Sequence, residues 1–312
     1  MDGAELAATL KMEDAVRAIE DAIRDGLDPA ADIPRSAVRL RNGHALLMPS
    51  EDHSRIGLKV AMVADGVPDR GALRIQATYL VFDADSLALT AMLDGTELTR
   101  IRTAAVSMAA IRPALPRLQT GANVVVFGSG PQALAHIDAL SSTLPFGIAS
   151  LTVAVRGVVS ENERLGDQDA LCLSSDSAEL RDRLQTADVV VAATTAREPL
   201  FDDLHVGLQP VVIAVGSHEP GARELPSGLL RRSLVVVEDV ETSRREAGDI
   251  IQAIDEGALD PHDIVSLASV VSAAVPIPAG CPYVFKSTGM SWEDLVVANA
   301  ALARPNRDPG GS

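Results

Sequence analysis

Cysteine is nearly absent from this chain. Its two cysteines, Cys172 and Cys281, lie far apart with no histidine pair beside either, which excludes a disulfide framework and offers no zinc-binding pattern. Both are read as small apolar fillers. Positive charge is short as well: 27 Lys and Arg stand against 43 Asp and Glu, a formal net charge of −16. Nucleic acid and anionic lipid select lysine and arginine patches, so neither is expected as a partner. No uncharged apolar run approaches the roughly 18 residues of a membrane span. The opening MDGAELAATLKMEDAV carries acids where a secretory signal needs a basic and then apolar start. A cytoplasmic protein is expected. Aromatic residues make up only 3%, yet apolar residues make up 47% of 312, enough for a large core and for two domains.

One stretch organises the rest. Residues 123–140, NVVVFGSGPQALAHIDAL, pass from an apolar β-like run through Gly128-x-Gly130-x-x-Ala133 into a helical pattern of Ala133, Leu134, Ile137 and Leu140. Such a turn lets backbone N–H groups approach a diphosphate at a helix N-terminus, where unsatisfied amides and the helix dipole favour an anion. Glycine pairs also occur in ordinary β–α turns. The strand before and the helix after are the context that a dinucleotide fingerprint requires. A nucleotide cofactor is therefore expected at Gly128, Ser129, Gly130, Pro131 and Gln132.

Before this turn, Leu6, Leu10, Ala15, Ile19, Ile23 and Leu27 recur about every fourth residue, an amphipathic helical region with a break near Lys11 and Met12. Five short strands follow, at 37–40, 45–48, 57–63, 75–82 and 88–93, punctuated by Asn42-Gly43, Pro49, Gly66, Pro68 and Asp94-Gly95. They suggest a largely antiparallel sheet. Residues 98–115 read as a helix with Thr99 as its cap, ended by Pro113 and Pro116. This proline pair is the candidate domain boundary. Beyond it, strands at 124–127, 151–155, 171–173, 189–193, 211–215 and 234–237 alternate with helical patterns at 131–140, 177–186 and 243–255. Alternation of this kind predicts a parallel sheet with crossover helices. It stops near Val284, and 292–302 reads as a closing helix that returns to the first domain; the tail 305–312 is expected to fray.

A site for NAD places an acid about 20 residues past the glycines, at the end of the second strand. Here LTVAV ends at Arg156-Gly157, and the first acid afterwards is Glu161. An arginine there pairs with a 2′-phosphate, so NADP(H) is favoured and NAD(H) stays open. Thr194 and Thr195 follow a strand on the cofactor side, where ribose contacts are expected. In the first domain, Lys59 lies between apolar residues of a predicted strand, and Arg102 among small residues of a helix. A charge on such a face is costly to bury without a partner. An exposed head on a buried stem is the ordinary alternative.

Several segments carry a resemblance: LLMPS (46–50), GLKV (57–60), LDGTELTRIRTAA (93–105), VFGSGPQALAH (126–136), VGSHEPGAREL (215–225), EAGDI (246–250) and VFKSTG (284–289). Together the chain resembles the ornithine cyclodeaminase/mu-crystallin family over almost its whole length. The resemblance implies an α/β fold with an NAD(P)-binding Rossmann domain, 116–284, and an α+β substrate-binding and dimerisation domain, 1–115 with 285–312, in a homodimer. It implies that Arg35 and Arg102 hold the carboxylate of a small amino or imino acid, a planar anion that a guanidinium fork matches. Lys59 would stand near the substrate nitrogen with a lowered pKa, suited to moving a proton. Thr103, Val215, Gly216, Ser217 and Lys286 would join the cofactor contacts, although a helix-capping role for Ser287 or Ser291 competes in that last segment.

Two departures bear on the reaction. Where cyclodeaminases of the family carry an aspartate after the fifth Rossmann strand, this chain aligns His218, and an acid before their Leu-Met-Pro segment is Leu46 here. An imidazole supplies no fixed negative charge for a diamine's second ammonium. The resemblance therefore favours reduction of a ketimine or cyclic imino acid such as pyrroline-2-carboxylate, with His218 as a proton relay. An ornithine- or lysine-type cyclodeaminase with bound NAD and a non-catalytic NADPH-binding crystallin-like protein remain alternatives.

Overall fold

The computed structural model describes residues 1–66, 73–156, 163–165 and 168–303. Pro68, Gly157, Glu161 and the tail 305–312 lie outside the described residues. The chain divides into two units, Met1–Ala105 with Met290–Ser312, and Val106–Gly289. The first division falls inside a helix rather than at the proline pair.

In the first unit, helices α1 (Gly3–Thr9) and α2 (Met12–Arg24) are separated by extended backbone at Leu10 and Lys11, the expected break. Asp2 caps α1 in a reciprocal box with Glu5. Strands β1 (Ser36–Leu40), β2 (Gly43–Glu51), β3 (Arg55–Ala64), β4 (Ile75–Asp83) and β5 (Leu89–Asp94) form an antiparallel meander in chain order. Strand β2 runs on through Pro49, where the sequence predicts a break. Its pairing with β1 ends at Leu47, so Pro49 pairs with β3 alone and its missing N–H leaves no ladder bond unmade on the other side.

Helix α3 (Gly95–Ile111) starts three residues earlier than expected. Its cap is Asp94, whose Oδ1 accepts from Thr96 and Glu97 N–H, whereas Thr99 lies within the helix and donates to Gly95 O. A carboxylate just before the first turn competes better for free amides than a hydroxyl inside it. The closing helix α10 (Ser291–Leu302) belongs to this unit and packs on α2, β2 and β3. Neither Ser287 nor Ser291 caps it. Asp32 Oδ2 does, accepting from Ser291 N–H at 2.7 Å.

The second unit is a doubly wound sheet. Its strands are β6 (Ala122–Phe127), β7 (Ile148–Val155), β8 (Glu163–Leu165), β9 (Gln168–Ser174), β10 (Val189–Ala192), β11 (Val211–Ala214), β12 (Leu234–Val237), β13 (Val265–Ser266) and β14 (Tyr283–Lys286). Their spatial order is β13-β12-β14-β11-β10-β6-β7-β9-β8, parallel except for β8. The alternation does not end at Val284 as expected: β14 inserts between β11 and β12. It is fully buried on both faces, so it shows no strand alternation.

The crossover helices are α4 (Pro131–Thr143), α5 (Ala178–Gln185), α6 (Ser227–Arg231), α7 (Val240–Glu246), α8 (Gly248–Asp255) and α9 (Leu267–Val271). The single helix expected over 243–255 is broken at Ala247, whose extended backbone turns Asp249 inward. Strand order reverses between β6 and β10, the switch point at which open α/β sheets bind ligands. Two polar ties hold the C-terminal part of α3 in this unit: Ser107 Oγ meets His136 Nε2 at 3.0 Å, and Tyr283 Oη donates to Ala110 O. Burial lowers the His136 pKa to about 4, so its ring is neutral.

Candidate functional site

Alternation along β3 puts Gly57, Lys59, Ala61 and Val63 on one buried face. Met48 and Tyr79 stand directly opposite Lys59 on the flanking strands. The Tyr79 hydroxyl lies over Gly57, where a Cβ would come within 1.8 Å of it, so any larger residue there would have to displace the Tyr79 ring. The Lys59 side chain is 3% exposed and its partner Asp294 1%. An ammonium taken that far from water needs a counter-charge, and Asp294 Oδ2 accepts from Lys59 Nζ at 2.7 Å.

Arg102 reaches the same helix from α3. Its Nη1 donates to Glu293 Oε2 at 2.5 Å, and its Nε lies 3.4 Å from Asp294 Oδ1. The structure thus joins Lys59 and Arg102 through adjacent carboxylates on the first turn of α10, where the helix dipole stabilises negative charge. Burial pulls the Lys59 pKa down to about 8; Asp294 opposes this, Arg102 adds to it and Glu293 opposes it. Burial, partly offset by backbone N–H donors, raises the Asp32 carboxyl to about 6. Arg35 is half-buried between Asp32 and β1. Thr103, on α3, donates its hydroxyl to Thr99 O.

In the second unit, β6 ends in the glycine turn. Gly128 has φ +106°, and a Cβ there would lie 2.5 Å from Ala193 O; Ser129, Gly130 and Pro131 are exposed. Gly130 is the N-cap of α4 and contributes no capping side chain, and Pro131 occupies the first turn. The N-cap residue thus brings no side chain over that turn, and nothing lies within 4 Å of a Cβ on Gly130. This cradle fits a dinucleotide diphosphate. Gln132 is half-buried at its edge, and Arg156 directly follows β7 and is exposed.

The loops after β10 and β11 rest on buried carboxylates. Glu224 accepts from Thr194 N–H at 2.8 Å, Thr194 Oγ1 at 2.7 Å and Gly216 N–H at 2.7 Å. Asp249 Oδ1 accepts from the N–H groups of Glu224 and Leu225. Lys286 is buried and donates Nζ to Ser217 O at 2.6 Å, with Asp249 Oδ2 at 3.2 Å. Burial raises the Glu224 carboxyl, with Lys286 opposing. Val215 N–H bonds Ala192 O, and the Ser217 hydroxyl donates to Ala222 O. His218 is half-buried on this anchored loop. After β14, Glu238 accepts from Ser287 Oγ and from Thr288 and Gly289 N–H.

Sequence reasoning found the cations and missed the acids. Glu293 and Asp294 stand where an exposed acidic first turn is ordinary, and no local signal separates the two cases. Glu224 and Asp249 lay inside quoted motifs without a role.

A model of the ornithine cyclodeaminase/mu-crystallin family matches residues 3–304. The chain is 32% identical to ketimine reductase mu-crystallin of Mus musculus over 72% of this chain and 67% of that protein. It is 30% identical to Delta(1)-pyrroline-2-carboxylate reductase 2 of Burkholderia ambifaria over 89% and 86%. Thermococcus litoralis Delta(1)-pyrroline-2-carboxylate reductase, solved with NADH and L-proline, superposes with a TM-score of 0.83 at 25% identity, covering 96% of this chain and 95% of that one.

The ion pair makes a stability prediction. Lys59→Met leaves the Asp294 carboxylate buried without its ammonium and is expected to destabilise the chain by about 3–5 kcal/mol in denaturant unfolding. The double variant Lys59→Met with Asp294→Leu is expected to recover most of that loss; a double variant no more stable than the single one contradicts the coupling.

Proposed function

Because the chain belongs to the ornithine cyclodeaminase/mu-crystallin family, we infer that it is an oxidoreductase that uses NAD(P)H to reduce a ketimine or cyclic imino acid such as pyrroline-2-carboxylate. The observation that carries this reading is a buried lysine with a pKa of about 8 beside a buried arginine. NAD(P)H, held at the Gly128 turn, supplies the hydride. Arg102, with Arg35, binds the substrate carboxylate through charge-assisted hydrogen bonds. Lys59 donates a proton to the imine nitrogen as the imine carbon gains the hydride, so that one hydride, carrying both electrons, and one proton yield the amine. The reverse oxidation uses the same groups with the lysine as base.

His218 serves as a second proton-handling group. Its place on a loop fixed by Lys286 and Glu224 supports a set position, and its lack of permanent negative charge disfavours a diamine. Lys286, Thr194, Gly216 and Ser217 act on the cofactor through the shape of these loops. Arg156, exposed after β7, favours NADP(H) by pairing with a 2′-phosphate.

A homodimer accompanies this reading. The sheet face opposite Lys59 exposes Val38, Leu40, Met62, Leu89 and Met92. A single apolar face of this kind is covered by association, and a second copy offers a matching one.

Measurements of turnover, pH dependence, cofactor preference and mass test the proposal. With NADPH and pyrroline-2-carboxylate, loss of the reduced-nicotinamide absorbance with formation of proline is expected. Reductive kcat/KM needs the protonated lysine and is expected to fall above about pH 8, whereas oxidative kcat/KM rises there. Proline and ammonia formed from ornithine with no net absorbance change would overturn the reading in favour of a cyclodeaminase, and cofactor binding without turnover in favour of a crystallin-like protein. Arg156→Asp is expected to weaken NADPH at least tenfold more than NADH, about 1.4 kcal/mol of discrimination; equal losses refute the NADP(H) assignment. Light scattering is expected to give twice the chain mass for the native protein and a monomer for Met62→Glu with Met92→Glu; an unchanged mass removes this sheet face as the interface.

A further inference from the structure

We propose that Asp294 is a positioning residue for this reaction: it holds the Lys59 ammonium in the site and keeps it protonated at neutral pH. The proposal rests on the reductase reading for its use in catalysis, but not for its geometry. Lys59 comes from the middle of the antiparallel sheet and Asp294 from the first turn of α10, 235 residues later in the chain. Their contact is 2.7 Å, and neither side chain is more than 3% exposed. Water therefore does little to solvate or screen either charge.

The groups around Lys59 Nζ have opposing effects. From α10, Asp294 and Glu293 favour the ammonium; from α3, Arg102 disfavours it; from β4, the Tyr79 phenol is neutral, its ionisation suppressed by burial and by Asp294. Glu293 has Arg102 as its close partner at 2.5 Å, which leaves Asp294 as the carboxylate in contact with Lys59. Without it, burial and Arg102 both act to expel the proton. A lysine neutral at pH 7 cannot act as the acid for an imine nitrogen. Proximity alone would leave Lys59 correctly placed in the wrong protonation state.

The chain contains three lysines, Lys11, Lys59 and Lys286, so NMR of protein labelled at lysine Cε shows three resonances, with exposed Lys11 as an internal standard. In the native protein Lys59 is expected to titrate near pH 8. In Asp294→Asn, which keeps the shape and loses the charge, the midpoint is expected to fall by about one to three units. The descending limb of reductive kcat/KM with pyrroline-2-carboxylate should move down with it, while the Kd for NADPH stays unchanged. Asp294→Glu restores the charge and is expected to bring the midpoint back toward the native value, a readout that lost packing alone would not give. A Lys59 midpoint that stays or rises in Asp294→Asn overturns the proposal. Should that variant fail to fold, a midpoint in Asp294→Glu more than one unit below native overturns it as well. A shifted midpoint in a protein that reduces no imine would leave the positioning role standing and sink the reductase reading instead.

Discussion

Two cations and two carboxylates buried together in the first unit are the constraint on which the rest depends. Lys59 and Arg102 are held by Asp294 and Glu293 at contacts of 2.7 and 2.5 Å. Removing four charges from water is costly, and their mutual attraction repays this only with close geometry. The pairs tie the middle of a sheet and the body of α3 to a helix from the far end of the chain. Asp32 fixes the same helix by its free amides, so the start of α10 is the point where segments from four parts of the sequence meet.

The second unit uses the same device for a different end. Glu224, Asp249 and Glu238 are buried acceptors that collect backbone N–H groups from loops after β10, β11 and β14. Each loop would otherwise present unsatisfied amides inside a protein core, where an unpaired donor costs about 1–3 kcal/mol. Lys286 supplies the one buried cation among these described acids and bonds the Ser217 carbonyl. The loops at the carboxyl ends of the strands are thereby held in one shape, which a site needs more than it needs additional contacts.

Much of the fold was legible because its signals are local. The Asn42-Gly43 turn, the break between α1 and α2 and the glycine turn after β6 depend on neighbours within a few residues, and the structure places them where the sequence does. The differences have two causes, a nearer competitor in one case and burial by distant segments in the other. Thr99 is a good cap by type, but Asp94 stood nearer the free amides. Tyr283–Lys286 shows no alternation because it is an inner strand of the sheet, paired on both edges and buried on both faces.

The candidate site divides in the same way. Sequence alone determined the glycine turn at Gly128, the family, and the presence of Lys59 and Arg102 as lone charges among apolar or small residues. Only the tertiary structure decided what those charges meet. Asp294 and Glu293 look like an ordinary acidic helix start, and their role depends on a contact across more than half the chain, which no local periodicity encodes. The protonation state of Lys59 follows from that contact, because a pKa is set by the groups around a charge in space and not by its neighbours in sequence.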